Sequence, residues 1–329
     1  MNRIILLVSG ALLTAACQGT APTAPEPVRI TFSATDATRA DDTSEIRRWA
    51  LLLFRDGKLV DYGLSESAEP ITRTVQAAAY TAFAVANYPE NGFHPDAFRT
   101  TSDLADTTVD LADQTPDAPV MCGRTDLVLP AGADGVHPIA VERLVCRAGL
   151  RKVSVDFSDP TLAGQVFVLK SVFLTNCVRA NRYGADFVRE DISEAESSWY
   201  NRLGVTPGSP ETLAVRNIGA VVTPDRPYGI PHFFLFHPNP LTAEQDTRAA
   251  AWAARCTRLV IEAQVGERTC YYPVTLPALR RNQTCLVDEI VIRRAGAPDP
   301  EQEIPEAVEV FFRSSVQPWE QQYYDKDAS

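Results

Sequence analysis

The chain has 329 residues and a net charge of −11, from 42 acidic and 31 basic side chains. Hydrophobic residues make up 45% of it, enough for a sizeable core, and its 24 prolines and 17 glycines exclude collagen, a long coiled coil and a wholly disordered chain. The acidic balance disfavours nucleic acid as a partner, because DNA and RNA are bound by basic surfaces, and the length fits one or two ordinary domains.

The N-terminus has the features of an export signal. Arg3 supplies a positive charge, residues 4–13 form an apolar run too short to span a bilayer, and small residues follow. We interpret residues 1–16 as a signal peptide. Small residues directly before Cys17 resemble the lipobox of bacterial lipoproteins, in which this thiol takes a lipid and becomes the mature N-terminus. Residues 17–27, rich in Pro, Ala and Thr, are then a lipidated tether. The alternative is an ordinary secreted protein in which Cys17 is incidental.

Six further cysteines remain, an even number, and export permits disulfides. No CxxC pair occurs, so a zinc ribbon or a thioredoxin-type redox site has no support. Some of these cysteines lie in apolar runs, where a buried free thiol is as plausible as a disulfide, and the pairing stays open. The six are Cys122, Cys146, Cys177, Cys256, Cys270 and Cys285.

The first half of the chain contains strand patterns. Residues 28–34 alternate apolar and polar side chains, which is the period of a half-buried strand. Residues 46–54 form a second strand, and the Asp-Gly pair at 56–57 favours a tight hairpin because these residues tolerate positive φ. The returning strand is predicted at 59–62, and a further strand at 77–86.

The second half carries short β-type runs separated by turns with Pro, Gly or Asn. These runs are residues 144–157, 166–174, 232–236, 258–264, 270–276 and 285–292. Their spacing predicts sandwiches rather than alternating strands and helices. Short helices are expected in loops, at 244–255 and at 189–199, although the latter also fits a loop insertion. We predict a mostly all-β fold with an N-terminal unit at 28–143 and a C-terminal unit at 144–329.

Motifs of common enzyme classes are missing from the sequence. It contains no GxSxG, HExxH, GxGxxG or Walker-type loop. His232 and His237 end one apolar run, and five residues of strand direct them to opposite faces and away from a shared metal. The acidic stretch 103–113 lacks the glycine and final glutamate of an EF-hand, and we predict a solvated loop. We therefore predict no enzyme, no catalytic residue, no metal site and no cofactor.

The order of these features resembles the fimbrillins, the lipoprotein-derived subunits of type V pili. The motifs that carry the resemblance are the lipobox at Cys17, the first strand with residues 37–40, the hairpin at 46–60, the run at 81–89 and the segment at 142–155. The C-terminal half matches through residues 270–276 and the strand that opens after 281–282. Six cysteines in the mature chain are more than this family leads one to expect.

The resemblance implies two transthyretin-like β-sandwich domains and a lipidated precursor carried to the outer membrane and the cell surface. In shaft-type fimbrillins an arginine-specific protease cuts behind the first strand, and a neighbouring subunit fills the resulting groove with its C-terminal strand. The implied partners are other pilus subunits, this protease, the membrane through the lipid on Cys17, and a host or bacterial surface receptor. The implied function is adhesion through a fimbrium.

Arg39 is the arginine that best fits such a cut. It lies between the first strand and the polar segment 40–45, in the exposed setting that proteolysis requires. The other nearby arginines fall within predicted strands: Arg29, Arg47 and Arg48. A cut between Arg39 and Ala40 would remove the strand at 28–39. The alternative is an ordinary solvated loop arginine.

The C-terminal segment 305–329 is the candidate donor strand. Its apolar positions are Val308, Val310, Phe312, Val316 and Trp319. The first three fall on one face because side chains alternate along a strand. An equally supported alternative is that this segment completes its own domain.

We therefore expect a shaft or tip subunit of a pilus that polymerises by protease-triggered strand exchange. Within the family, the alternative is a membrane-retained anchor that keeps its lipid and resists cleavage. Outside it, the alternative is a monomeric surface lipoprotein that binds glycan or protein.

Overall fold

The structure, a computed structural model, describes residues 27–36, 46–193, 195–202, 214–241, 255–302, 304 and 307–318, with Asp36, Glu196 and residues 311–318 as backbone alone. The helix predicted at 244–255 lies outside these residues except for Arg255. Within the described ranges, no helix has the length and apolar character needed to cross a membrane.

The first half of the chain is a succession of strands joined by short turns. The strands are β1 Pro27–Asp36, β2 Trp49–Arg55, β3 Lys58–Ser65, β4 Ile71–Gln76, β5 Ala78–Ala86, β6 Thr108–Asp110, β7 Met121–Leu129 and β8 Val136–Arg143. An α-helix, α1, spans Thr101–Asp106, and 3-10 turns lie at Pro95–Ala97 and Leu111–Asp113.

The second half repeats this character. Its strands are β9 Cys146–Leu150, β10 Val153–Val155, β11 Phe167–Thr175, β12 Cys177–Val178, β13 Ala180–Arg182, β14 Trp199–Tyr200, β15 Val215–Val222, β16 His232–Phe236, β17 Arg258–Val265, β18 Arg268–Thr275, β19 Gln283–Ile292 and β20 Val308–Pro318. Short 3-10 turns lie at Pro160–Leu162, Arg189–Asp191 and Glu196–Ser198. The prediction of a mostly all-β fold is confirmed.

Seven strands form one folded sheet in the order β3-β2-β5-β7-β8-β1-β4, which we call the first sandwich. It closes over a core because β1 and β2 direct alternate side chains into the same apolar cluster. β2 is buried on both faces, since Leu51 faces this cluster and Leu52 faces a second one that includes Phe93 and Phe98. The predicted hairpin joins β2 to β3, with positive φ at Asp56 and Gly57.

The second sandwich packs two sheets face to face. One has the order β10-β19-β9-β16, with β20 paired to β19, and the other has the order β15-β11-β17-β18. Their inner faces share a single core cluster. The run predicted as one strand at 144–157 is two strands, β9 and β10, which both pair in parallel with β19.

The acidic stretch 103–113 is not the solvated loop that we predicted. Thr100 caps α1: its hydroxyl accepts a hydrogen bond from the Asp103 amide, and the Asp103 carboxylate accepts one from the Thr100 amide. Leu104 and Leu111 are buried, so this stretch covers part of the core and its acidic residues lie on the outer side. In the sequence the acidic residues of this stretch were the stronger pattern, so the apolar positions between them were missed.

All six cysteines after Cys17 are buried, and five of them are free thiols: Cys122, Cys146, Cys177, Cys270 and Cys285. Burial raises the pKa of the Cys122 and Cys177 thiols to about 12, so neither is a thiolate at neutral pH. These cysteines fill the core as small apolar groups.

Candidate functional site

β1 occupies an interior place in the first sandwich. It pairs antiparallel with β4 from Pro27↔Gln76 to Phe32↔Ile71. On its other edge it pairs in parallel with β8 from Thr31↔Val136 to Asp36↔Val141. Neither ladder contains a register shift. Removal of β1 would therefore expose backbone groups on two strands at once.

The inner face of β1 is a row of four apolar side chains buried in the core. These are Val28, Ile30, Phe32 and Ala34, each no more than 2% exposed. The Phe32 ring lies 6.1 Å from the ring of His137 on β8. The alternation that predicted this strand is thus a core face, and the polar positions between face outward.

The two ladders are staggered along β1. From Pro27 to Ile30 the strand is paired with β4 alone, and β8 joins from Thr31 onward. Beside the first part lies a surface pocket of about 420 Å³, bounded on the far side by residues 132–134. The hydroxyls of Thr31 and Thr72 are 2.9 Å apart across the outer face, which shows how closely β4 approaches.

β20 has a different position, at the edge of the second sandwich. It pairs antiparallel with β19, and that ladder contains two register shifts. Val308 and Val310 are half-buried against the core. Glu309 forms an ion pair with Arg293, with 2.6 Å between the Glu309 Oε2 and the Arg293 Nη2. In this conformation the C-terminal segment completes its own sandwich, which was the alternative left open by the sequence.

The chain between β19 and β20 crosses to the opposite sheet before it returns. Ala297 exchanges two backbone hydrogen bonds with Tyr271 of β18. Glu301 then enters the interior, where its carboxylate accepts hydrogen bonds from Asn176, Arg255 and Arg258 at 3.2, 3.0 and 2.8 Å. All three charged side chains of this buried triad are at most 6% exposed. The approach to β20 is therefore fixed at one point inside the fold.

The predicted site residues are distributed as follows. Val308 and Val310 lie in β20, as does the backbone of Phe312 and Val316. Cys17, Arg39, Ala40 and Trp319 lie outside the described residues. The structure places β1 and β20 in different sandwiches, so it does not bring the strand predicted to be removed and the candidate donor together within one chain.

Sequence reasoning missed Glu301 and its two arginines. No local pattern identifies them, because the three residues are brought together only by the crossing of the chain. It also missed β4 and His137, which line the place of β1. Residues 71–76 alternate between buried and more exposed positions, and this alternation was the signal that could have identified β4.

The described residues contain no group of three or more His, Cys, Asp or Glu side chains arranged to hold a metal ion. His237 is fully buried, and burial lowers its pKa to about 4 despite a hydrogen-bond contact with the Leu144 carbonyl. His232 contacts the Tyr228 hydroxyl at 2.7 Å. Each histidine therefore contacts a neighbouring group of the fold, and we interpret both as structural residues.

Comparison with solved structures identifies the fold. A protein assigned to cell adhesion from Bacteroides eggerthii DSM 20697 aligns over 90% of this chain and 97% of its own, with a TM-score of 0.67 and 17% identity. A fimbrilin, FimA, from Porphyromonas gingivalis W83 aligns over 88% and 97%, with a TM-score of 0.58 and 13% identity. The tip fimbrial protein Mfa3 from Porphyromonas gingivalis, with a C-terminal truncation, aligns over 89% and 100%, with a TM-score of 0.55 and 14% identity.

No family model matches the sequence, and no curated protein is significantly similar to it. The similarity is thus one of fold, extends over nearly the whole of each structure, and includes both sandwiches.

Proposed function

We propose that this chain is a structural, non-enzymatic subunit of a pilus, in its shaft or at its tip, which polymerises by strand exchange and supports adhesion. The observation that carries the proposal is the interior position of β1, a strand near the N-terminus paired on both edges and contributing a row of buried apolar side chains. The fold that the chain shares with fimbrial proteins supports the same reading.

Removal of β1 would create a strong requirement for a replacement strand. The edges of β4 and β8 would lose their hydrogen-bonding partner, and four core side chains would be lost with it. At ~1.5 to 3 kcal/mol for each of the three larger side chains, refilling the slot contributes on the order of 4.5 to 9 kcal/mol before the costs of ordering the incoming strand. An extended apolar segment from another subunit meets this requirement by adding a strand.

In this proposal an arginine-specific protease cuts between Arg39 and Ala40 and releases β1. The C-terminal strand of the next subunit, within 305–329, is the donor. The precursor is carried to the outer membrane and cell surface by the lipid on Cys17, and other pilus subunits and a surface receptor are its further partners. The domain boundary near residue 143 belongs to the same proposal.

The direct test compares the wild-type precursor with Arg39→Ala after incubation with an arginine-specific protease. We expect the wild type to give ladders of polymers on a gel and an N-terminus at Ala40, and Arg39→Ala to stay monomeric. Arg29→Ala is the matched control, since Arg29 is exposed on β1 itself, and it should polymerise like the wild type. Polymers from Arg39→Ala would reject this cleavage site.

N-terminal sequencing of protein extracted from the cell surface separates the alternatives. A start at Ala40 supports a shaft or tip subunit. A blocked, acylated Cys17 supports a retained anchor or a monomeric glycan- or protein-binding lipoprotein.

A further inference from the structure

We infer that a cleft at the junction of the two sandwiches binds a neutral oligosaccharide, through the guanidinium groups of Arg124, Arg182 and Arg281 and the carboxylates of Asp106 and Glu142. We call it the junction cleft. The inference deepens the adhesion part of the proposed function and rests on it for its role at the cell surface. It requires neither cleavage nor strand exchange.

The junction cleft opens where β7 and β8 separate. The two strands pair only at one end, where Cys122 lies opposite Glu142. A Cβ atom at Gly123 would overlap the carbonyl oxygen of Ala140, so glycine permits the close approach of the strands at this point. The cleft has a volume of about 620 Å³. This volume lies within the range of about 300 to 1,000 Å³ that small-ligand pockets occupy.

Three other parts of the chain form the remaining walls of the junction cleft. α1 contributes Ala105 and Asp106, the insertion between β11 and β15 contributes residues 182–185, and the segment before β19 contributes Arg281. The Gly184 amide donates a hydrogen bond to the Ala105 carbonyl at 3.0 Å, which holds the insertion against α1. The walls therefore come from both halves of the chain, and such junctions are a common place for ligand sites.

Two of the arginines are held in place by the fold itself. The Arg182 guanidinium donates to both carboxylate oxygens of Asp191, at 3.2 and 2.8 Å. The Arg281 guanidinium donates to the Asp186 carboxylate and to the carbonyls of Tyr183 and Arg182. A guanidinium has five N–H groups, and these contacts use two and three of them respectively. The others are available to a ligand at a small cost in ordering.

The charges in the junction cleft select against an ionic ligand. Arg182 and Arg281 already have carboxylate partners, and the exposed carboxylates of Asp106 and Glu142 would repel an anion. A cation would meet three guanidinium groups on the opposite side of this balance. An apolar ligand would take these charged groups out of water without replacing their hydrogen bonds. A neutral ligand with many hydrogen-bonding groups meets none of these costs.

A sugar ring has this chemistry. A guanidinium offers parallel N–H donors and a carboxylate offers two acceptors, and adjacent sugar hydroxyls can pair with either because each both donates and accepts. The floor of the cleft suits the C–H groups of such a ring, since Phe83, Cys122 and Tyr183 are at most 7% exposed and mostly apolar. The Arg124 guanidinium lies 5.7 Å from the centre of the Phe83 ring, which positions it at the edge of this floor.

The test begins with the uncleaved precursor on a printed array of neutral and acidic oligosaccharides. Each sugar that binds is then titrated in free form by calorimetry. We expect binding to at least one neutral oligosaccharide. Binding to none of the neutral sugars would overturn the inference, and so would binding to acidic sugars alone.

Two variants of exposed residues locate the binding. Arg124→Ala and Glu142→Gln should each weaken the affinity for that sugar by about tenfold or more, because each removes a hydrogen bond between the sugar and a charged group. The matched controls are Arg226→Ala and Glu267→Gln, which change exposed residues in turns of the second sandwich. They should keep the affinity within about twofold. Equal effects of the cleft variants and the control variants would overturn the site, and thermal unfolding checks that all four variants fold.

Polymerisation is measured on the same preparations after treatment with the arginine-specific protease. Arg124→Ala should polymerise like the wild type. Sugar binding by a wild type that does not polymerise would reject strand exchange and leave the junction cleft standing. Normal polymerisation without sugar binding would reject the junction cleft alone.

Discussion

Glu301 anchors the chain just before β20, the strand that we propose as the donor. Its carboxylate lies between Arg255 and Arg258 in a site that is almost closed to water. Asn176 also donates to this carboxylate, and the Glu301 carbonyl accepts a further hydrogen bond from Arg258. A buried charge is tolerated only where it is paired and hydrogen-bonded, and both conditions are met here.

Glu301→Gln should lower the free energy of unfolding by about 3 to 5 kcal/mol, because it removes a buried negative charge that accepts hydrogen bonds from two buried arginines. Chemical denaturation followed by circular dichroism measures this. Glu309→Gln is the control, because the Glu309 pair with Arg293 is exposed and should contribute less than ~1 kcal/mol. Similar losses in the two variants would show that burial of Glu301 has no energetic consequence.

His237 should make the fold sensitive to mild acid. Burial lowers its pKa to about 4 in the folded chain, whereas the unfolded value is near the ordinary 6.5. The buried site favours the neutral imidazole. The contribution of His237 to the free energy of unfolding is therefore complete above about pH 6.5 and falls as the pH drops towards 4. The linked loss approaches about 3 kcal/mol.

The measurement is the unfolding free energy of the wild type minus that of His237→Gln, taken between pH 7 and pH 4. The subtraction removes the titration of carboxylates such as Asp110, whose pKa is lowered by backbone and side-chain hydrogen bonds that outweigh its burial. We expect the difference to shrink as the pH falls. A difference that is constant over this range would exclude the histidine effect.

At the scale of elements, β20 is the strand whose loss the fold should survive. β19 keeps its parallel partners β9 and β10 when β20 is removed. A precursor truncated after Ile304 should therefore fold, with stability reduced by a few kcal/mol because Ala307 is buried and Val308 and Val310 are half-buried.

That truncated precursor should be cleaved but should not polymerise. A precursor that ends at Tyr324 keeps the strand and Trp319, serves as the control, and should polymerise. Electron microscopy and gel ladders report polymerisation, and thermal unfolding reports the fold. Polymers from the shorter chain would exclude the C-terminal donor.

Strands were predictable from the sequence where alternation or a strong turn marked them. β1 and the β2–β3 hairpin are of this kind, because a half-buried face and an Asp-Gly turn are local properties. β7 was not predicted, since Arg124 and Asp126 on its outer face conceal the pattern. For the site, alternation identified β1 and β20, but their different sandwiches and the Glu301 triad depend on long-range contacts that no local window contains.

At the scale of the whole molecule, an insertion between β11 and β15 connects the two sandwiches. Its strand β13 pairs with β6 from the first half of the chain. Asp186, in the same insertion, accepts hydrogen bonds from the backbone and the Nε of Arg281, which precedes β19. Arg281 also donates to the carbonyls of Tyr183 and Arg182, at 3.0 and 2.9 Å. This one guanidinium therefore holds the insertion against the second sandwich.

Arg281→Ala should uncouple the two sandwiches. The wild type is expected to unfold in one calorimetric transition, because contacts across the insertion make the two halves cooperative. Without Arg281 the 2.7 Å contact to the Asp186 carboxylate is lost and that carboxylate is left largely buried, which should cost about 2 to 4 kcal/mol and split the transition in two. Arg280→Ala is the matched control, since Arg280 is exposed and its backbone contacts do not need its side chain. If Arg281→Ala still unfolded in a single transition at the wild-type temperature, the Arg281 contacts could not be what couples the sandwiches. A split transition with intact polymerisation would show that the proposed polymerisation does not need the two sandwiches to be coupled.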